Sequence, residues 1–195
     1  MTDPLRELAA LYAEMEAAYD RTAQTAGFSC AGCPDNCCDS YFLHHTYLEW
    51  AFLWEGFRQL PVETRKAVRR RAMAYAVACE QELARGGRPR RPCPLLDEQG
   101  LCALYGSRLM ICRLHGVPAT QTQPDGGVKT FAGCFRFQER GGDQTSVPPL
   151  DRTTFLQRLA SLEAAFLGSR RGLLPRQSQT IADMLVKGEP PLADE

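Results

Sequence analysis

The 195-residue chain lacks any apolar run approaching the roughly 20 residues that span a bilayer, so no membrane-embedded segment is expected. It also lacks an excess of charge of either sign. Its 23 basic residues balance 23 acidic ones, which excludes a polyanion as the default partner. A secretory signal would need a basic start, a continuous apolar stretch and a small-residue cleavage site. The opening Met-Thr-Asp-Pro-Leu-Arg-Glu-Leu is amphipathic and charged instead, so a cytoplasmic location is expected. No Ser–His–Asp order, phosphate-cradling glycine loop or dinucleotide fingerprint is present. With only three histidines, the chain is also poor in the ligands a zinc hydrolase combines with an open coordination position. Whether the chain is an enzyme is left open by these absences.

What is present in excess is cysteine, nine residues of it. In a reducing compartment, dense cysteine points to thiolates on metal more than to disulfides, and an odd total pairs poorly. Eight of the nine fall in loop or turn contexts, in two groups. The first is Cys30-x2-Cys33-x3-Cys37-Cys38. The second is Cys93-x8-Cys102-x9-Cys112, followed by Cys134. Thiolates are soft donors suited to zinc, copper(I) or iron–sulfur centres. The Cys30–Cys33 spacing lets both sulfurs face one ion about 2.3 Å away. Neighbouring side chains in an extended loop diverge, so Cys37 and Cys38 are expected to split between two nearby sites or to bridge a multinuclear centre. Eight sulfurs satisfy two four-thiolate sites, or one four-cysteine cluster plus a separate site. Spacing alone does not assign the partners, although one site joining Cys30 and Cys33 to the second group would tie the N-terminal loop to the body.

The periodicity predicts a mainly α single domain over 1–195, with irregular cysteine-rich metal-binding loops and one small β-hairpin. The cysteine-cluster core is placed at 28–135 and a C-terminal helical extension at 150–187. Asp3 and Pro4 open a first helix whose stripe is Leu5, Leu8, Tyr12, Met15 and Tyr19, stopped at Gly27. A second helix is predicted from about 46 to 57, burying Leu48, Phe52 and Leu53. A third runs from Pro61 towards Gly86, with Ala72, Ala76, Cys79 and Leu83 inward. Asp97 to Gly100 should make a tight turn, and Pro124-Asp-Gly-Gly127 a hairpin. Helices over about 151–167 and 175–186 complete the chain.

The segments Cys30-Ala-Gly-Cys33-Pro-Asp-Asn-Cys37-Cys38 and Cys93-Pro-Leu-Leu-Asp-Glu-Gln-Gly-Leu-Cys102-Ala-Leu-Tyr-Gly-Ser-Arg-Leu-Met-Ile-Cys112-Arg resemble the YkgJ-type cysteine-cluster family. That family is described as a zinc- or iron-chelating domain with a C-x-x-C-x-x-C-C motif. The resemblance covers about residues 28–135 and includes Pro94, Gly100, Tyr105, Arg108 and Arg113. Two positions depart from it: three residues precede the double cysteine where two are usual, and Leu109 stands where proline is usual. The resemblance implies metal chelation by Cys30, Cys33, Cys37, Cys38, Cys93, Cys102, Cys112 and Cys134. A flagellin lysine methylase is related to the family, so a [4Fe-4S] protein acting in redox or in protein modification is the alternative.

Against each functional reading stands a plainer one. Cys79 lies on the apolar stripe of the third helix and reads as a small core residue. His44 and His45 read as surface or supporting groups. His115, three residues after Cys112, is better placed but reads as a turn histidine. Arg108 and Arg113 could offset the roughly two negative charges of four thiolates around a divalent ion. The basic stretch 65–91 reads as a solvated face, or as a surface for an acidic protein partner. Nucleic acid is not expected there, because no aromatic platform or reading motif accompanies it. Trp50 and Trp54, one helical turn apart, read as packing residues.

Overall fold

The computed structural model describes residues 3–30, 37–139 and 147–192. Among these the protein is mainly α, with seven α-helices and one three-stranded sheet. The helices are α1 (Pro4–Thr25), α2 (Tyr47–Gln59), α3 (Val62–Ala84), α4 (Met110–Leu114), α5 (Phe135–Glu139), α6 (Thr153–Leu167) and α7 (Ile181–Lys187). The strands are β1 (Ala119–Thr122), β2 (Val128–Phe131) and β3 (Leu150–Asp151). The chain forms two compact units. The first comprises Met1–Cys37 and Met110–Ala165, the second Cys38–Leu109 and Phe166–Glu195.

In the first unit, α1 starts where expected, because the Asp3 side chain accepts the Leu5 amide and Pro4 occupies the first turn. Its buried face is Leu8, Leu11, Tyr12 and Met15; Leu5 and Tyr19 are only half-buried. Gly27 at φ 60 reverses the chain, with the Phe28 amide bonded to the Ala23 carbonyl. Phe28 then packs edge-on against Phe137 of α5. The predicted hairpin is present. β1 and β2 pair antiparallel from Ala119↔Phe131 to Thr122↔Val128, and Gly126 supplies the positive φ of the turn. The sheet has a third member, since β3 adds parallel to β1 at Ala119↔Leu150. Two residues carry too little periodicity to announce a strand.

The second unit has one core, built from α2, α3, α7 and the loop between α3 and α4. Tyr47, Trp50, Leu53, Trp54 and Phe57 of α2 meet Val68, Ala72, Tyr75 and Cys79 of α3, and Ala182, Met184 and Leu185 of α7. Both tryptophans are packing residues: the Trp50 indole also donates to the Gly188 carbonyl at 2.8 Å. Three expectations change here, the first being that Phe52 of α2 is only half-buried. Leu83 is 46% exposed, because the inward stripe of α3 runs 68–72–75–79 and ends before the last turn. The final helix starts at Ile181, not near 175, because Thr180 and Asp183 form a reciprocal capping box that fixes its first turn there. The segment before it is extended and pairs with the chain entering α2, His44 amide to Gln179 carbonyl at 2.7 Å and the reverse at 3.0 Å.

That pairing buries His44, which is 4% exposed. Burial pushes its pKa below the ordinary 6.5, opposed by the nearby Glu49 carboxylate and assisted by His45. The unfolded chain therefore takes up the proton more readily than the folded one. Stability contributed by neutral His44 should be complete above about pH 7 and be lost as pH falls through 6.5 towards the lower folded value. Urea midpoints measured from pH 8 to pH 5 should decline over that window, and His44→Gln should flatten the decline. A slope identical in the variant would contradict this.

Candidate metal centre

In the first unit Cys30 and Cys134 are positioned by turns and Cys112 by the short helix α4. After the Gly27 reversal the chain passes back along α1, and the Cys30 sulfur lies 3.6 Å from the Tyr19 hydroxyl, 11 positions earlier. The same hydroxyl covers Gly116, where a Cβ would stand 2.7 Å from its oxygen. Gly116 takes φ +127, a conformation side-chain-bearing residues rarely adopt. Its carbonyl accepts the Cys134 amide at 2.9 Å. Gly133 beside it takes φ +85, and a Cβ there would meet the Gly116 carbonyl oxygen at 2.7 Å. Two glycines thus let two chain segments touch through their backbones, and one tyrosine hydroxyl touches both Cys30 and that junction. Cys112 is half-buried on α4, whose next residue, Arg113, is buried in an ion pair with Glu16, its guanidinium 4.5 Å above the Tyr12 ring.

In the second unit, the 3-10 turn Cys37–Asp39 and the residue after it run beside the segment 90–93, bridged at Ser40↔Arg90. The Cys93 amide donates to the Cys38 carbonyl at 2.8 Å, the Arg91 amide to the Asp39 carbonyl at 3.0 Å, and Arg90 pairs with the Asp39 carboxylate at 2.9 Å. Arg71 of α3 donates to the Pro94 carbonyl at 2.9 Å, fixing the second segment to the helix. The turn expected at 97–100 forms: the Asp97 carboxylate accepts the amides of Gln99 and Leu101, and Gly100 takes φ 78. Leu96 and Cys102 then face each other across this loop, and the Ala103 amide returns to the Leu95 carbonyl. Leu95 and Leu96 are buried beneath it, so Cys93 and Cys102 open and close a loop pegged into the core.

The structure therefore places Cys30, Cys112 and Cys134 in one unit and Cys38, Cys93 and Cys102 in the other, with the division of the chain falling between Cys37 and Cys38. Cys33 and the side chain of Cys37 lie outside the described residues. Among the described residues, no group of three or more His, Cys, Asp or Glu side chains is gathered as a metal-holding set. The donor chemistry is nonetheless that of a soft-metal site, since all six positioned candidates are thiols. Cys79 is buried at 4% exposure in the core of the second unit, hydrogen-bonded to Tyr75.

The accessory groups sort clearly. Arg108 lies near Cys102 and favours its thiolate, while its guanidinium sits 3.7 Å over the Tyr105 ring. Arg113 is instead committed to Glu16. His44 is not the surface residue expected from its loop, and the His45 ring meets the Gln177 carbonyl at 3.1 Å. His115 is half-buried beside Gly116. In the basic stretch, Arg69 lies over Trp54 and Phe57, Arg71 binds Pro94, Lys66 pairs with Glu63 and Arg90 with Asp39. Sequence reasoning missed Tyr19, because nothing in a helical stripe marks a hydroxyl that will meet a later loop. Tyr75 was more accessible, four positions before Cys79 on the same helical face. No family model matches the chain, and comparisons with curated proteins and with solved structures return no match.

Burial raises the pKa of Cys102 above the ordinary 9.0, opposed by the Leu104 backbone and Arg108, and burial likewise raises Cys79. Thiolate, not thiol, is the species that alkylates. In reduced, metal-free protein at pH 7, exposed Cys30 should react with iodoacetamide before Cys79 and Cys102. The rates of the latter pair should still be rising above pH 9. Peptide mapping that finds Cys102 alkylated before Cys30 would contradict this ordering.

Proposed function

We propose that the protein binds zinc or iron through cysteine thiolates drawn from Cys30, Cys33, Cys37, Cys38, Cys93, Cys102, Cys112 and Cys134. The observation that carries the reading is the contrast between these cysteines and Cys79. Cys79 sits within a long helix and a core; of the six described candidates, Cys30, Cys93, Cys102 and Cys134 lie outside regular helices, Cys38 lies in a single 3-10 turn and Cys112 in the short α4. A thiolate metal of this kind supplies either a structural cross-link, when zinc is bound, or an electron-carrying centre, when iron is. Supporting this reading, Arg108 lies where it favours ionised Cys102. An all-sulfur donor set suits a [4Fe-4S] cluster equally well, and that is the second reading, with redox or protein modification as its role. We place the protein in the cytoplasm, where such thiols persist reduced. An acidic protein partner would meet the stretch 65–91 through the exposed Arg70, Arg85 and Arg88, since Arg69, Arg71 and Arg90 already serve the fold.

Anaerobic purification followed by metal and acid-labile sulfide analysis with a visible spectrum tests the proposal. Colourless protein carrying about two zinc ions, as eight thiolates would hold, removes the cluster reading. Brown protein with labile sulfide removes the zinc one. Cys33→Ala and Cys102→Ala should each lower metal content, whereas Cys79→Ala should leave it unchanged. Full metal retention in either of the first two would contradict the ligand set.

A further inference from the structure

Tyr19 is half-buried on α1, and its ring could serve packing with no hydroxyl at all. The hydroxyl, however, makes two contacts that a phenylalanine could not. It lies 3.6 Å from the Cys30 sulfur, and it fills the space over Gly116 that a side chain would need. Gly116 in turn accepts the Cys134 amide, and Gly133 permits the approach. One oxygen therefore touches the first cysteine of the N-terminal group and the backbone junction carrying the last cysteine of the second. Cys112 lies four positions before that junction, on a helix fixed to α1 through Arg113, Glu16 and Tyr12. A phenol and a thiol can exchange donor and acceptor roles, but a thiolate only accepts. Toward a metal-bound Cys30 sulfur the Tyr19 O–H would be the donor, and such charge-assisted bonds are about twice as strong as neutral ones.

We propose that Tyr19 is a positioning residue for a thiolate centre in the first unit, donating to the Cys30 sulfur and holding it against the Gly116 turn that carries Cys134. This rests on the thiolate-metal reading above and adds to it a specific supporting bond. Hydrogen bonds to metal-bound ligands orient them and tune the metal, and their loss typically costs 10–100-fold in metal affinity. Gly116 acquires a second duty, since a methyl group there would displace the very oxygen that supports Cys30.

The experiment is cobalt(II) and zinc titration of the reduced full-length chain, following the sulfur-to-cobalt charge-transfer band. Tyr19→Phe keeps the ring and removes only the oxygen. It should weaken metal binding about 10-fold and shift the band, while the circular dichroism and thermal midpoint of the metal-free protein stay those of the wild type. In a Cys30→Ser background the same change should produce no further loss. Wild-type affinity and band position in Tyr19→Phe would overturn the inference. So would an equal loss with and without Cys30, which would make Tyr19 a general packing residue. If the wild type itself takes up neither cobalt nor zinc, and carries no cluster as purified, the thiolate-metal reading falls first and this inference with it.

Discussion

The constraint on which the molecule depends is that cysteine-bearing loops have backbone amides and carbonyls with no helix or sheet to satisfy them. Leaving such groups buried and unpaired costs about 1–3 kcal/mol each, so irregular backbone survives only where remote segments pair it off. Here that is done sparingly. The Cys93 amide meets the Cys38 carbonyl in one unit, and the Cys134 amide meets the Gly116 carbonyl in the other. Each bond joins segments far apart in sequence at a cysteine, so the same contact that satisfies the backbone also fixes where a sulfur starts. The first-unit junction removes bulk with glycine at positive φ, Gly116 and Gly133, whereas Cys93 lies between Pro92 and Pro94, which carry no amide hydrogen to be paired.

Helices supply the frame against which these loops are held, and arginine does much of the joining. Arg71 reaches from α3 to the Pro94 carbonyl, Arg90 to Asp39, Arg113 from α4 to Glu16, and Arg152 to the Leu114 carbonyl at 2.6 Å over the Phe131 ring. Arg152 is 5% exposed, and burial lowers its pKa to about 10, leaving it charged at neutral pH. A planar guanidinium suits this work because it can donate in plane to a carbonyl while lying flat on an aromatic ring. The balanced net charge of the chain conceals this use. Many cations act inside the units as cross-braces, so the basic stretch 65–91 is in large part architecture.

Local chemistry was legible in the sequence, and long-range meeting was not. Asp3-Pro4, the Asp97–Gly100 turn and the Pro124–Gly127 hairpin are fixed by residues within a few positions of one another, and each forms where the spacing requires. The final helix, expected from about 175, begins at Ile181, where the Thr180–Asp183 box fixes its first turn. β3 was invisible because its two residues have meaning only beside β1. In the candidate centre, the cysteines announced themselves by type and spacing. Tyr19 could not, since its relation to Cys30 runs through the Gly27 reversal and the Phe28–Phe137 contact.

The contrast between Cys79 and the loop cysteines has a physical basis beyond location. A thiol in a helix interior has its backbone already bonded, its environment apolar and its pKa raised by that burial, with Tyr75 and Arg91 only partly opposing the effect. Such a group stays protonated and behaves as a small hydrophobe. Cys102 also has its pKa raised by burial, yet Arg108 and the Leu104 backbone both favour its anion, and its loop can present the sulfur without breaking a helix. Cys79 has the same kinds of neighbour, the Tyr75 hydroxyl and Arg91, so neither burial nor charge separates the two. The difference lies in the backbone: Cys79 starts from a packed helix and Cys102 from an irregular loop.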